Sequence, residues 1–445
     1  MSTLDDRYEI RHFAPALDGD VADPATAGWM ASVQLAFHEK RFPDSEQEAA
    51  DVRRIIADGR ELTGVYLRTG TDAADGHRPP TQPLPDAALD AHHPVGTFTS
   101  FTKTLDVGGG VLLDAHLISD VTVRPTHRRR GILRAMMVDN LSRAAAAGSA
   151  VAALTVSEAT IYRRFGFGAA THVRSVRVQA DRPTHLLSVP AGSLELADPA
   201  RLSGVARRVF DRFHTSTPGS IDRHAGEWTR LITGVADKAE PDLRVRAAVH
   251  VSPEGEEDGY VTYVVEERSD GSTLKILDLV AATPDAYLGL WELLLSMDLV
   301  HEVTWHNAPL DDPLHHALAD SRLRKVTQET DLVWLRILDP VVALEARPYA
   351  VEDALTLRVT DSLGFAAGVL RLETRAGSAT VTREPDDARP DVELDVAVLG
   401  SLYLGGTDPV VLGAAGLVHE HTDRALLRLR ALLAQDRQVY GITHF

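Results

Sequence analysis

Apolar residues in the first third of the chain change from strand-like to helical spacing and back again. Val95 to Leu105 and Val111 to Val123 predict two strands. Ile132 to Ala147 follow with helix-forming residues and an apolar residue every third or fourth position. Val151 to Val156 is a continuous apolar run, typical of a strand in a sheet covered on both faces. This order predicts a mixed α/β unit.

Two further stretches show different patterns. Residues 179–338 combine predicted strands with a helix at Tyr287 to Asp298, so they repeat the order of the first part without its glycine turn. We interpret them as a degenerate second copy without cofactor. Residues 339–445 begin with short, regularly spaced strands and end in helices, which is typical of an α+β domain. Since 445 residues favour two or three domains, we predict three: 1–178, 179–338 and 339–445.

The segment Val121 to Arg134 joins a predicted strand to a predicted helix through three arginines and Gly131. A strand, a glycine-containing turn and a helix start aim free backbone N–H groups and the positive end of the helix dipole at an anion. Neither GxxxxGK[ST] nor GxGxxG occurs at this turn, which disfavours a P-loop and a dinucleotide fold. The segment predicts a site for a phosphorylated cofactor, with a solvated basic helix start as the alternative.

Two motifs around this turn resemble those of the GNAT superfamily of N-acetyltransferases. Arg128-x-x-Gly131-x-Leu133 is similar to the acyl-CoA pyrophosphate loop, usually written Q/R-x-x-G-x-G/A, from which Leu133 departs. After the next predicted strand, Ile161 to Phe167 (IYRRFGF) resembles the YxxxGF signature. The order and spacing of the two motifs favour an acetyltransferase over a solvated helix start. The resemblance implies acetyl-CoA as co-substrate.

The whole chain resembles the Eis (enhanced intracellular survival) family of actinobacterial N-acetyltransferases. The most specific residues are Val121 to Gly131, Ser157 with Glu158, Ile161 to Gly168, and the terminal Phe445. The resemblance implies tandem GNAT-like domains, the second degenerate, followed by a domain similar to sterol carrier protein. It also implies a homohexamer that acetylates several amines of aminoglycosides and, in some members, lysines.

The resemblance assigns the chemistry to Tyr162 and Phe445. N-acetylation needs a neutral amine, a donor to the developing oxyanion and an acid for the departing thiolate. Tyr162 occupies the position that the family uses as general acid, and a phenol has a reference pKa of about 10. The α-carboxylate of Phe445 occupies the position of the family's base, which burial or a bridging water would have to assist. The alternatives are a packing tyrosine and a frayed terminus.

The expected cofactor contacts come mostly from the backbone of the same turn. N–H groups after Arg128 are expected to cradle the pyrophosphate, while Val121 and Val123 pair with the pantetheine arm. The N–H of Val121 is expected to polarise the thioester carbonyl. The predicted set is Val121, Thr122, Val123, Arg128, Arg129, Arg130, Gly131, Ile132, Leu133, Arg134 and Ser157.

The substrate wall is expected to include residues from a predicted helix near the start of the chain. An acidic residue in such a pocket suits a polyamine. His444 is a further candidate, as an auxiliary base or a substrate contact. The candidates are Trp29, Phe37, His38, Glu39 and His444.

Composition narrows the class of protein. The chain has 46 basic and 64 acidic residues, a formal net charge of −18, which disfavours nucleic-acid binding and favours cationic partners, with simple solubility as the alternative. Zero cysteines exclude disulfides, cysteine nucleophiles and thiolate metal sites, and the histidine pairs lack metal-ligand spacing, so we expect no metal. Without an apolar run of 18 residues or a secretory h-region, we expect a cytoplasmic enzyme with no membrane insertion.

Three functions stay open at this point. The favoured one is an acetyl-CoA-dependent N-acetyltransferase acting on aminoglycosides or similar polyamines. The second is acetylation of protein lysines or transfer of a longer acyl group. The third is a non-catalytic lipid-binding or scaffold protein with an inactive acetyltransferase unit, for which Leu133 is the one hint within the motifs.

Overall fold

The structure is a computed structural model and describes residues 4–41, 44–68, 89, 91–156, 158–182, 185–233, 242–268 and 271–445. Elements are numbered in chain order. Three sheets follow one another along the chain, each flanked by helices.

The first sheet is built mainly from the N-terminal part of the chain. Its strands are β1 (Tyr8–Phe13), β4 (Glu61–Leu67), β5 (Gly96–Asp106), β6 (Leu112–Val123), β7 (Val151–Thr155), β8 (Gly168–Ala169) and β16 (Val333–Ile337). They lie in the order β1-β4-β5-β6-β7-β16-β8. The associated elements are a small hairpin, β2 (Leu17–Asp18) and β3 (Val21–Ala22), and the helices α1 (Pro24–Phe37), α2 (Ser45–Ala57), α3 (Ile132–Ala146) and α4 (Ala159–Tyr162).

The second sheet has a similar layout. Its strands are β9 (His172–Gln179), β10 (Ser193–Ala197), β11 (Arg246–Val251), β12 (Glu257–Arg268), β13 (Gly271–Ala281), β14 (Val300–Ala308) and β15 (Arg324–Asp331). Their order is β10-β11-β12-β13-β14-β9-β15. The associated helices are α5 (Ser203–His214), α6 (Ala225–Thr233), α7 (Pro284–Leu295) and α8 (Pro313–Ala317).

Two strands are exchanged between these sheets. β9 follows β8 in the chain but lies between β14 and β15 of the second sheet. β16 follows the second sheet but inserts between β7 and β8 of the first. The domain boundaries at residues 178 and 338 stay predictions. The exchanged strands β9 and β16 interlock the two sheets across these positions.

The last part of the chain forms a third sheet with helices on it. Its strands are β17 (Asp353–Thr360), β18 (Gly368–Arg375), β19 (Ser378–Glu384), β20 (Val392–Asp395) and β21 (Val418–Glu420), in the order β19-β18-β17-β20-β21. The helices are α9 (Pro340–Ala346), α10 (Val396–Leu402), α11 (Pro409–Ala414) and α12 (Ala425–Leu433). Leu117 of β6, Ala247 of β11 and Leu357 of β17 belong to one buried cluster, so the three sheets share a core.

Four helices begin at an Asp-Pro pair. Asp23, Asp312, Asp339 and Asp408 precede the first residues of α1, α8, α9 and α11, and each carboxylate accepts a backbone N–H from the first helical turn. Proline suits the first helical position because its φ is already helical and its missing N–H has no acceptor there. The sequence thus fixes these helix starts locally. No helix within the described ranges is long and apolar enough to span a bilayer.

The segment after α12 runs back to the first two sheets. The N–H of Tyr440 donates to the carbonyl of Pro218 at 2.8 Å, and the ring of Tyr440 packs edge to face on Phe213. The hydroxyl of Thr443 donates to the carbonyl of Ile221 at 2.6 Å. Residues 439–443 of this segment are buried, and the chain then brings its last two residues to the first sheet.

Candidate active site

The two central strands of the first sheet diverge at one end. Parallel pairing between β6 and β7 extends to Ile118 and Leu154. Beyond that point β6 continues to Val123 in pairing with β5, whereas Thr155 of β7 pairs with β16 on the other side. The strands therefore separate like the arms of a V, and backbone groups become accessible between them.

A β-bulge at Asp120 lies where the strands separate. The register of β6 against β5 shifts by one residue between Thr97 and Thr99, and Asp120 has a φ of 53°. The hydroxyl of Thr97 donates to the carbonyl of Asp120 at 2.9 Å, which holds the bulge. Because a bulge redirects side chains and bends the strand, the Asp120 side chain reaches the opening.

The backbone donors of Val121 and Val123 face the opening. The N–H of Arg124 donates towards β5, to the carbonyl of Val95, at 2.8 Å. Backbone groups alternate in direction along a strand, so the N–H groups of Val121 and Val123 point to the opposite side. The Thr122 hydroxyl, by contrast, lies 2.6 Å from that of Thr97 on β5. The opening can thus pair with an extended chain that carries amide groups.

The arginine turn, Arg128 to Gly131, leads into the start of α3, where backbone N–H groups are free to bind a ligand. Arg129 and Gly131 have φ values of 63° and 80°, a region that glycine adopts without steric cost. Gly131 is the N-cap of α3 and brings no capping side chain. The first N–H groups of α3, at Ile132, Leu133 and Arg134, have no acceptor within the helix. Such a turn binds an anion such as a pyrophosphate.

The side chains of the turn divide into anchors and exposed cations. Arg130 donates to the hydroxyl of Tyr8 at 2.9 Å, and Ile132 is buried. Leu133 packs against the buried cluster that contains Ile132, so its side chain leaves its backbone N–H available. A leucine in place of the motif's glycine or alanine therefore removes no donor from the turn. The side chains of Arg128, Arg129 and Arg134 are exposed around these donors. The turn fits the pyrophosphate of acetyl-CoA.

Tyr162 ends the short helix α4 next to the opening. It is 9% exposed, and its ring packs edge to face on Phe167 at a centroid distance of 6.4 Å. Burial, and then the charge of Glu158, raises the pKa of the Tyr162 phenol. The phenol therefore keeps its proton around neutral pH and can serve as a proton donor.

The terminal residue lies at the end of β7. A carboxylate oxygen of Phe445 accepts a hydrogen bond from the Thr155 hydroxyl at 2.5 Å. The Phe445 ring packs edge to face on Phe101 of β5 at 6.3 Å. Both ends of this residue are thus held against the first sheet.

One cavity of about 780 Å³ brings these groups together. Val121, Tyr162 and Phe445 all line it. Besides Tyr162, its ionisable lining residues are Asp120, Asp331, Arg230, His306, His444 and Phe445 with its terminal carboxylate. Asp120 also lies 3.3 Å from the guanidinium of Arg60; burial raises the pKa of Asp120, and Arg60 opposes that rise. Counted with Arg60, three acidic groups stand against two guanidiniums, so the cavity keeps a small excess of negative charge, which favours a cationic ligand.

The chain is similar to known N-acetyltransferases over most of its length. Models described as acetyltransferase (GNAT) domain match residues 87–170 and 219–337, and a sterol carrier protein domain model matches residues 341–441. An N-acetyltransferase of Streptomyces avermitilis is 34% identical over 426 residues, 93% of this chain and 94% of the relative. N-acetyltransferase Eis of Mycobacterium tuberculosis is 35% identical over 368 residues, 81% of this chain and 88% of the relative. The chain belongs to the Eis family of N-acetyltransferases.

A solved structure agrees with this assignment. The crystal structure of Eis1 from Mycobacterium abscessus matches with a TM-score of 0.77 at 28% identity, covering 98% of this chain and 100% of that one. The predicted fold is confirmed: two GNAT domains precede a sterol-carrier-like domain. The predicted enzyme class, N-acetyltransferase, is confirmed as well. The GNAT fold of this Eis-family enzyme implies acetyl-CoA as its co-substrate.

The predicted substrate residues lie in different surroundings. Phe37 ends α1 and lines the cavity, and His444 lines it as well, with its Nε2 3.5 Å from Asn307 Oδ1. Desolvation, then Arg230 and Arg223, lowers the pKa of His444 to about 4, so its ring is neutral around neutral pH and a weak base.

The other substrate candidates lie on or beyond α1. Trp29 is buried between α1 and the sheet, where its indole N–H donates to the carbonyl of Thr63 at 2.9 Å. It is therefore part of the hydrophobic core. His38 caps α1 in the left-handed conformation, and Glu39 follows it; both are exposed. Ser157, predicted to contact the CoA arm, lies outside the described residues.

Sequence reasoning missed four residues at the site. Asp120 and Thr155 line the cavity, and His224 and Glu227 contact the backbone of His444. A charged residue directly before the β-branched run Val121 to Val123, within a predicted strand, was a local sign of the bulge at Asp120. The other three have no local sign, because their partners are more than 200 positions away in the chain.

Proposed function

We propose that this Eis-family enzyme acetylates primary amines of cationic multi-amine small molecules, aminoglycosides among them. In this proposal Tyr162 is the general acid and the terminal carboxylate of Phe445 is the general base. The observation that carries it is that Val121, Tyr162 and Phe445 line one cavity at the divergence of β6 and β7.

The proposed reaction is a direct transfer. The amine nitrogen attacks the carbonyl carbon of the thioester while the carboxylate of Phe445 accepts a proton from that nitrogen. The N–H of Val121 stabilises the negative charge that develops on the carbonyl oxygen. The carbon–sulfur bond then breaks, and Tyr162 donates its proton to the sulfur. The products are an amide and the free thiol of CoA.

The charge of the cavity supports a cationic acceptor. Asp120, Asp331 and the terminal residue Phe445 line the cavity together with Arg230, and the chain carries a net charge of −18. An acidic cleft raises the local concentration of polycations and lowers that of anions. A molecule with several amines can place one amine at Phe445 while others contact the remaining carboxylates.

Release of CoA thiol with a panel of acceptors tests the proposal. With acetyl-CoA, several aminoglycosides and linear polyamines are expected to give turnover above the hydrolysis background, and a lysine-containing peptide and a longer acyl-CoA test the alternative substrates. Tyr162→Phe is expected to lower kcat by about 100-fold or more, since general acid catalysis contributes at least that much. Absence of turnover with every multi-amine acceptor would refute the proposal.

Self-association, which the family resemblance implies as a homohexamer, is part of the proposal. Leu187, Val189 and Leu196 of the second domain are 70%, 90% and 76% exposed, so apolar side chains are available there for contact with another subunit. Light scattering during size-exclusion chromatography is expected to give six times the monomer mass. A monomeric mass at micromolar concentration would refute it.

A further inference from the structure

The start of helix α6 in the second GNAT domain, together with His224 directly before it, contacts both backbone groups of the penultimate residue. The N–H of His444 donates to Glu227 Oε1 at 2.8 Å. The carbonyl of His444 accepts from His224 Nε2 at 3.0 Å. We propose that His224 and Glu227, here called the terminal clamp, are positioning residues that fix the carboxylate of Phe445 in the cavity.

The hydrogen bonds of His224 are consistent with one tautomer. Its Nδ1 faces two donors, the Arg60 guanidinium at 3.2 Å and the N–H of Glu227 at 3.3 Å. Nδ1 must therefore accept, and the single ring proton lies on Nε2, which points at the carbonyl of His444. Burial, then Arg60, lowers the pKa of His224 to about 4, so this neutral form persists around neutral pH.

Burying the Glu227 carboxyl has a free-energy cost that packing alone would not require. It is 2% exposed, and its Oε2 has no hydrogen-bond partner among the described residues. Arg230 approaches Oε1 only to 3.6 Å. An apolar residue of similar size would avoid the cost of a half-satisfied buried carboxyl. The contact that a leucine could not make is the hydrogen bond to His444.

Arg60 links the terminal clamp to Asp120 of strand β6. This guanidinium contacts His224 Nδ1 at 3.2 Å and the Asp120 carboxylate at 3.3 Å, and it lies 4.3 Å from the centroid of the Phe101 ring. Phe101 in turn packs edge to face on both His224 and Phe445. The bulge, the clamp and the terminal residue therefore form one connected unit, as expected where a displacement of about 1 Å costs about 100-fold in rate.

This inference rests on the proposed role of the terminal carboxylate, so its test includes a readout that needs no catalysis. A carboxypeptidase that prefers aromatic C-terminal residues releases Phe445 only when the segment opens, and the release rate follows the population of the open form. Mass spectrometry of the folded full-length chain measures that rate. The kcat and the KM for acetyl-CoA are measured on the same samples.

Three variants make the test specific. Glu227→Leu removes the acceptor for His444, Glu227→Gln keeps an acceptor oxygen at the same place, and His224→Phe keeps the ring but removes the donor. Losing one hydrogen bond is expected to raise the release of Phe445 about tenfold and to lower kcat about 10- to 100-fold, with the KM for acetyl-CoA within about twofold of wild type. Glu227→Gln is expected to restore both quantities to near wild type.

The outcomes separate this inference from the proposed function. Release rates that distinguish Glu227→Leu from Glu227→Gln, without turnover in any sample, would support the clamp and refute the proposed function. Normal turnover in wild type with unchanged release and kcat in Glu227→Leu and His224→Phe would overturn the clamp alone. If Glu227→Leu does not fold, the comparison of His224→Phe with wild type decides by the same criteria.

Discussion

The Thr155 hydroxyl donates a 2.5 Å hydrogen bond to the terminal carboxylate of Phe445, 290 positions later in the chain. Thr155 is the last residue of β7, so the first GNAT domain contacts this carboxylate directly, while the terminal clamp of the second domain holds the preceding residue. The sterol-carrier-like domain supplies the segment that ends there. Each of the three domains therefore contributes to placing one proposed base.

Thr155→Val is expected to lower kcat about tenfold or more, because a hydrogen bond to a charged group contributes about 1.5–3 kcal/mol. The substitution keeps the shape of the side chain and removes the hydroxyl. Thr155→Ser retains the donor and is expected to stay within about threefold of wild type. Steady-state thiol release measures both variants, and equal kcat values for valine and serine would contradict the hydrogen bond's role.

Gly131→Ala is expected to raise the KM for acetyl-CoA about 5- to 10-fold, because an alanine at a φ of 80° costs about 1–2 kcal/mol and distorts the turn. Gly148 offers a matched control: its φ is 88° and the space around it is open. Gly148→Ala should lower thermal stability similarly while leaving the KM unchanged. Equal KM values for the two variants would argue against a cofactor role of the turn.

Asp120→Asn is expected to raise the KM for a multi-amine acceptor about 5- to 10-fold, since it removes one negative charge from the cavity wall. Asparagine tolerates the left-handed conformation of this position, so the bulge should persist. The KM for acetyl-CoA serves as the internal control and should not change. An unchanged acceptor KM across several amines would show that Asp120 does not contact the acceptor.

Glu227 is expected to make stability depend on pH. Burial raises its pKa from 4.5 to about 7, and Asp278 adds to the rise, while Arg223, the N–H of His444 and Arg230 oppose it. A carboxyl whose pKa is raised by folding stabilises the fold relative to high pH, and this contribution is lost as the pH rises from 4.5 to about 7. Glu227→Gln carries no charge at any pH.

The variant and wild type should therefore be similarly stable near pH 4.5, and the variant should be more stable by about 3 kcal/mol near pH 8. Denaturant-induced unfolding at the two pH values measures the difference. A difference that is the same at both would contradict the raised pKa of Glu227.

Local sequence signals correctly predicted the helix and the strand that follow the proposed pyrophosphate-binding turn. The helix predicted at Ile132 to Ala147 is α3, and the apolar run at Val151 to Val156 is β7. These elements depend on spacing within a few residues and on Gly131, which has a φ of 80° in the structure. The order of strand, turn and helix can therefore be predicted from residues that are adjacent in the sequence.

The acceptor side could not be derived in this way. The exchange of β9 and β16 pairs segments far apart in the chain, and neither strand carries a signal of its partner. His224 and Glu227 look like ordinary polar residues near the start of a helix; their contact with His444 exists only because the C-terminal segment folds back. Trp29 was predicted as a substrate-wall residue because of its aromatic side chain and its place on a helix near the start of the chain. In the structure it is a buried core residue.

The central claim is that the carboxylate of Phe445 acts as the base, and a one-residue extension tests it most directly. Adding a glycine after Phe445 moves the carboxylate by about 3.5 Å and leaves Tyr162 and the arginine turn in place. With a multi-amine acceptor, kcat is predicted to fall at least about 100-fold while the KM for acetyl-CoA stays within about twofold of wild type. A kcat equal to that of the unextended enzyme would contradict the claim.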